Sequence, residues 1–126
     1  MDDCGKKVMI VEDDEHISSV YEMKLSKEGI HTVCVKDGGS AAGAIFQEKP
    51  DLIILDIMLP EKDGFEVIKE VKQNAEIANI PIIVLSNLGQ CPDQERALAL
   101  GANEYIIKIS CSTQEVVSKI KEYLGA

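Results

Sequence analysis

The chain has 126 residues, enough for one domain with its own core, and its 45% hydrophobic content excludes a disordered chain. Thirteen basic residues against 22 acidic give a net charge of -9, which argues against direct contact with nucleic acid or anionic membrane, since both need a basic surface. No apolar stretch approaches ~20 residues and the acidic Met1-Asp2-Asp3 start is unlike a signal peptide, so the sequence reads as a cytoplasmic protein with a single domain over residues 1–126.

The first predicted strand is Lys7–Val11, ending on Glu12-Asp13-Asp14. A helix follows Asp14, with Ile17, Val20, Tyr21 and Leu25 at helical spacing and Gly29 as its stop. His31–Val35 reads as the second strand. Asp37-Gly38-Gly39-Ser40 reads as a turn ending on Ser40 as N-cap. Ala41, Ala44 and Ile45 mark the second helix, which Pro50 closes. The third strand is Leu52–Leu55, running into Asp56. Pro60-Glu61-Lys62-Asp63-Gly64 is a turn by composition. Phe65, Ile68 and Val71 mark the third helix, and Pro81 opens a fourth strand that runs into Ser86. Residues 93–100 form a short fourth helix between Pro92 and Gly101. Glu104–Ile107 is the fifth strand, running into Lys108, and Val116, Val117, Ile120, Tyr123 and Leu124 mark the fifth helix. Strict alternation of apolar strands and helices predicts a doubly wound α/β fold. It has five parallel strands, right-handed crossovers and five helices on both faces.

Cys4, Cys34, Cys91 and Cys111 form no C-x-x-C pair and no Cys/His cluster. Zinc is therefore not expected, and the four read as reduced thiols, with Cys34 in a buried strand.

In a parallel sheet of this kind ligands bind beyond the carboxyl ends of the strands. The strand ends carry Glu12, Asp13, Asp56, Ser86 and Lys108. Three carboxylates, a hydroxyl and an ammonium in one crevice suit a divalent cation and a phosphoryl group. Magnesium takes hard oxygen ligands, so Asp13 and Asp56 are the candidate direct ligands, with Glu12 reaching the ion through water. Asp14 reads as a helix cap. Asp56, behind four apolar residues, is a candidate phosphoryl acceptor, because a carboxylate can form an aspartyl phosphate. Lys108 would neutralise charge on the transferred group and Ser86 would donate a hydrogen bond.

These stretches resemble the receiver domain of two-component response regulators over nearly the whole chain. The resemblance rests on Ile10-Val11-Glu12-Asp13-Asp14 and on Leu55-Asp56-Ile57-Met58-Leu59-Pro60 with Asp63-Gly64. It rests also on Ile80-Pro81 through Ser86, and on Gly101-Ala102-Asn103-Glu104-Tyr105 with Lys108. It implies a flavodoxin-like strand order 2-1-3-4-5. It implies that Asp56 takes phosphate from a histidine kinase or histidine phosphotransfer protein in a phosphorelay. It implies a magnesium site made by Glu12, Asp13, Asp56 and the carbonyl of Met58. Ser86 and Tyr105 would be the switch pair: the hydroxyl turns toward the phosphoryl group and the ring turns inward. The face of the fourth helix, fifth strand and fifth helix would then meet a downstream effector, or a second copy in a dimer. The domain would promote its own phosphorylation and dephosphorylation without being an enzyme on other substrates.

Two positions depart from the family. Asn87 follows Ser86 where the family usually keeps a small residue, and Ile109 follows Lys108 where it usually has proline. The second departure predicts a different loop over residues 108–112. The competing readings are a receiver-like module that binds partners without phosphorylation, an aspartate-nucleophile phosphatase and a flavin protein. The phosphatase lacks its usual second aspartate, since Met58 stands two residues after Asp56. The flavin protein is disfavoured by the acidic loop after the first strand, which would repel phosphate.

Overall fold

The computed structural model describes residues 5–87 and 91–125. Strands and helices alternate: β1 (Lys7–Val11), α1 (Glu15–Lys27), β2 (His31–Val35), α2 (Gly38–Glu48), β3 (Leu52–Leu55), α3 (Gly64–Gln73), β4 (Ile82–Ser86), α4 (Cys91–Leu100), β5 (Glu104–Ile107) and α5 (Thr113–Leu124). A 3-10 turn over Lys108–Ser110 precedes α5. All strand pairs are parallel and their order is β2-β1-β3-β4-β5. The winding reverses between β1 and β3, and a crevice opens at such a switch point. Val11 pairs with Leu55, which sets the residues after β1 and β3 side by side.

The apolar runs exist because both faces of the sheet are covered. Met9, Val11, Ile53 and Leu55 point to the side packed by Ile45 of α2 and Val67, Ile68 and Val71 of α3. Val8, Ile10, Leu52 and Ile54 point to the other side, against Leu25 of α1 and Val116, Val117 and Ile120 of α5. A strand buried on both faces cannot alternate polar and apolar residues. No helix among the described residues is long and apolar enough to cross a membrane.

Local signals set the element ends. Asp14 caps α1, its Oδ1 accepting from the His16 and Ile17 N–H groups at 2.9 and 3.3 Å. Ser112 caps α5 in a reciprocal box with Glu115. One expectation fails at α2: the cap is Asp37, not Ser40, and the helix starts at Gly38. The reason lies elsewhere in the chain. A Cβ at Gly38 would stand 1.8 Å from the Lys62 carbonyl oxygen, so the helix start is pressed against the loop before α3. Cys34 is only half-buried because β2 is the sheet edge, and it and Cys111 are free thiols. Cys4 and the side chain of Cys91 lie outside the described parts. The fourth helix starts at Cys91, two residues before the expected 93.

Candidate functional site

Backbone hydrogen bonds hold the chain firmly as it leaves the sheet. The Glu12 N–H donates to the Val35 carbonyl at 2.9 Å, and the Asp56 N–H to the Val11 carbonyl at 3.0 Å. Both acids are therefore positioned by main chain that continues the sheet ladder. Glu12 and Asp56 are buried, at 4% and 6% exposure, while Asp13 is exposed. One carboxylate oxygen from each of the three lies within 4.8 Å of the others.

Lys108 enters this cluster from the end of β5. Its Nζ lies 2.6 Å from Glu12 Oε2 and 2.9 Å from Asp56 Oδ2. The absence of proline after Lys108 does not cost it this reach: the chain makes the 3-10 turn and Lys108 still bridges both acids. Burial pushes the Glu12 carboxyl up to about 7; the Lys108 hydrogen bond opposes this and the Asp56 charge adds to it. Burial pulls the Lys108 ammonium down, but its hydrogen bonds and charge contacts with Glu12 and Asp56 outweigh burial and leave it raised. Three carboxyl groups within reach of one another, two of them buried, are a set of hard oxygen donors that a divalent cation would complete. The residues present fit magnesium.

The loop after β3 is shaped by close approach. The Met58 N–H donates to Asp56 Oδ1 at 3.1 Å. The Gly64 N–H donates to the Ile57 carbonyl at 2.8 Å, and a Cβ at Gly64 would stand 2.6 Å from the Asp56 carbonyl oxygen. Only glycine lets α3 start so near the end of β3.

On the far side of the crevice Ser86 is fully buried at the end of β4. Its hydroxyl is hydrogen-bonded to that of Tyr105, which is half-buried on β5. Asn87 is exposed. Asp14 stays outside the cluster as a cap, donating its N–H to Glu12 Oε1 at 3.2 Å. The residues picked from the strand ends thus gather at one edge of the sheet. Sequence reasoning missed Arg96, whose guanidinium stacks on Phe65 at 4.1 Å beside the same loop. A helical position alone carries no signal for that contact.

Known proteins share this fold. The family model described as "Response regulator receiver domain" matches residues 8–121. The BeF3-activated N-terminal receiver domain of Klebsiella pneumoniae RstA is 30% identical, with TM-score 0.86, covering 94% of this chain and 98% of that one. The signal receiver domain of a signal transduction histidine kinase from Syntrophus aciditrophicus is also 30% identical, with TM-score 0.86, covering 96% and 91%. The receiver domain of sensor histidine kinase PA1611 from Pseudomonas aeruginosa, which carries a magnesium ion in its active-site cleft, is 27% identical, with TM-score 0.85, covering 98% and 100%. With its fold, its acid cluster and the match across nearly all its length, the chain belongs to the response regulator receiver domain family.

Proposed function

We propose that Asp56 is the phosphoacceptor of this receiver domain. The observation that carries the reading is the buried Asp56 carboxylate, held by the Met58 N–H and Lys108 beside Glu12 and Asp13. One Asp56 oxygen attacks the phosphorus of a phosphohistidine on a kinase or phosphotransfer protein. The P–N bond breaks and its electron pair leaves with the imidazole. Asp13, Asp56, the Met58 carbonyl and Glu12 would hold a magnesium ion, which would supply positive charge against the phosphoryl oxygens. Lys108 supplies a second positive charge next to Asp56, and Ser86 a hydroxyl donor. On this reading residues 1–126 work as one domain in the cytoplasm, without nucleic acid or membrane contact of their own. Incubation with magnesium and a small acyl phosphate should add one phosphoryl group to the intact mass. An unchanged mass would favour the partner-binding module that is not phosphorylated.

The Ser86–Tyr105 hydrogen bond supports the switch reading, because a hydroxyl drawn to a phosphoryl group must let go of the ring. Beryllofluoride should then shift amide resonances on α4, β5 and α5, the face offered to an effector or a second copy. Shifts confined to the crevice would sink the switch and leave only a phosphate store.

Magnesium should raise the melting temperature. At ~100 times its dissociation constant, linkage gives roughly 2.7 kcal/mol. The rise should vanish in Asp13→Ala; an equal rise there means that the ion binds elsewhere. Glu12 keeps its proton up to about 7, and the ion must compete with that proton. Magnesium affinity should therefore fall as pH drops from ~8 to ~6, approaching about tenfold per unit below the folded-state value. A flat profile would remove Glu12 from the ion's surroundings.

A further inference from the structure

Arg96 is exposed on α4, and its guanidinium carbon lies 4.1 Å from the centre of the Phe65 ring. Among the described residues no carboxylate or carbonyl accepts a hydrogen bond from it. Among the described residues its five N–H donors meet no acceptor. Arg96 and Phe65 line a cleft of about 630 Å³ together with Asp13, Met58 and Pro60. Asp13 belongs to the acid cluster, and Met58 donates its N–H to Asp56. Arg96 is the one cation among the described residues that line this cleft, which adjoins Asp56 through Asp13 and Met58.

Charge decides what that cation can do. A phosphoryl group brings roughly two negative charges where Asp56 had one. Lys108 is already shared between Glu12 and Asp56. With Glu12 ionised and one divalent cation bound, the phosphorylated crevice stays net negative. Arg96 itself is exposed, so its guanidinium stays hydrated on the face of the buried Phe65 ring and gains little from it, whereas its charge-assisted hydrogen bonds to phosphate are among the stronger ones.

We propose that Arg96 is a phosphoryl-responsive arm of α4: when Asp56 is phosphorylated, the guanidinium leaves the Phe65 ring for the phosphoryl oxygens or their bound waters. The proposal rests on Asp56 being the acceptor. It makes Arg96 a positioning residue that ties the occupancy of the crevice to α4 directly, in addition to the Ser86–Tyr105 pair on β4 and β5.

The test is titration with beryllofluoride and magnesium, followed by amide resonances. R96Q should weaken beryllofluoride binding about tenfold and flatten its salt dependence, with the magnesium affinity unchanged. R96K keeps the charge without the planar fork and should lose less. F65L frees the guanidinium from its ring, and should bind beryllofluoride as tightly as the parent or tighter. A packing role predicts instead that R96Q and F65L lower the melting temperature alike and leave beryllofluoride binding alone; that result overturns the proposal. Asp56→Asn separates the two layers of the argument. If the parent does not bind beryllofluoride, or Asp56→Asn binds it equally, the acceptor assignment itself fails and the role of Arg96 falls with it.

Discussion

Asp56→Asn is expected to lose phosphoryl uptake completely while keeping its fold. The amide oxygen can still accept from the Met58 N–H or from Lys108, as the Asp56 oxygens do at 3.1 and 2.9 Å. The volume of the side chain hardly changes. What disappears is the carboxylate proposed to attack phosphorus, and a carboxamide is no nucleophile at neutral pH. Replacement also removes one of the influences that hold the Glu12 proton, since the Asp56 charge helps raise that carboxyl to about 7. Relief of that repulsion offsets the weakened Lys108 contact, so stability should stay within about 1 kcal/mol of the parent. Intact mass after incubation with a small acyl phosphate and magnesium checks the first half. Denaturant unfolding checks the second. A variant that takes phosphate as fast as the parent, on the same tryptic peptide, would move the acceptor to another residue.

Much of this site is legible in the chain because the fold converts sequence into position by one rule. Glu12, Asp56, Ser86 and Lys108 each follow an apolar run, and a parallel sheet brings all such ends to one edge. The strands are legible because burial on both faces leaves only Val, Ile and Met in β1 beyond its first residue, and only Ile and Leu in β3. What escapes is set by contacts between distant parts of the chain. Asp37 and Ser40 are both good caps locally; in the fold Asp37 caps the helix and Gly38 abuts the Lys62 carbonyl, a contact 24 positions away. Cys34 sits in a run that reads as buried, but β2 has only one neighbour, and five residues cannot tell an edge strand from a central one. The pairing of Lys108 with Glu12 as well as Asp56 spans 96 positions and depends on where three strands stop. The Arg96–Phe65 stack joins two helices whose relative placement is a property of the packed molecule.

Lys108→Met gives the largest loss of stability expected from the site, about 3 kcal/mol at pH 8 without metal. The Lys108 side chain is only 15% exposed, and the side chains of its partners Glu12 and Asp56 are 5% and 8% exposed. Methionine fills the space of the lysine stem, so the cost is electrostatic: two buried carboxylates face each other with no cation between them. The protein's own relief is a proton. Glu12 already titrates near 7 because burial outweighs the Lys108 hydrogen bond; without that bond its carboxyl rises further. Its ordinary value is 4.5. A carboxyl raised in the folded state binds more protons there than in the unfolded chain. The stability it allows is complete at low pH and is lost as pH climbs from about 4.5 through the folded value. The deficit of the variant should therefore shrink between pH 8 and pH 6. Magnesium should restore more stability to the variant than it adds to the parent, because the ion no longer competes with an ammonium for Glu12 and Asp56. Urea unfolding at both pH values, with and without magnesium, measures all three effects. A deficit below about 0.5 kcal/mol at pH 8, the ordinary range for surface substitutions, or one that grows on acidification, would mean that the charge of Lys108 is not what holds these carboxylates together.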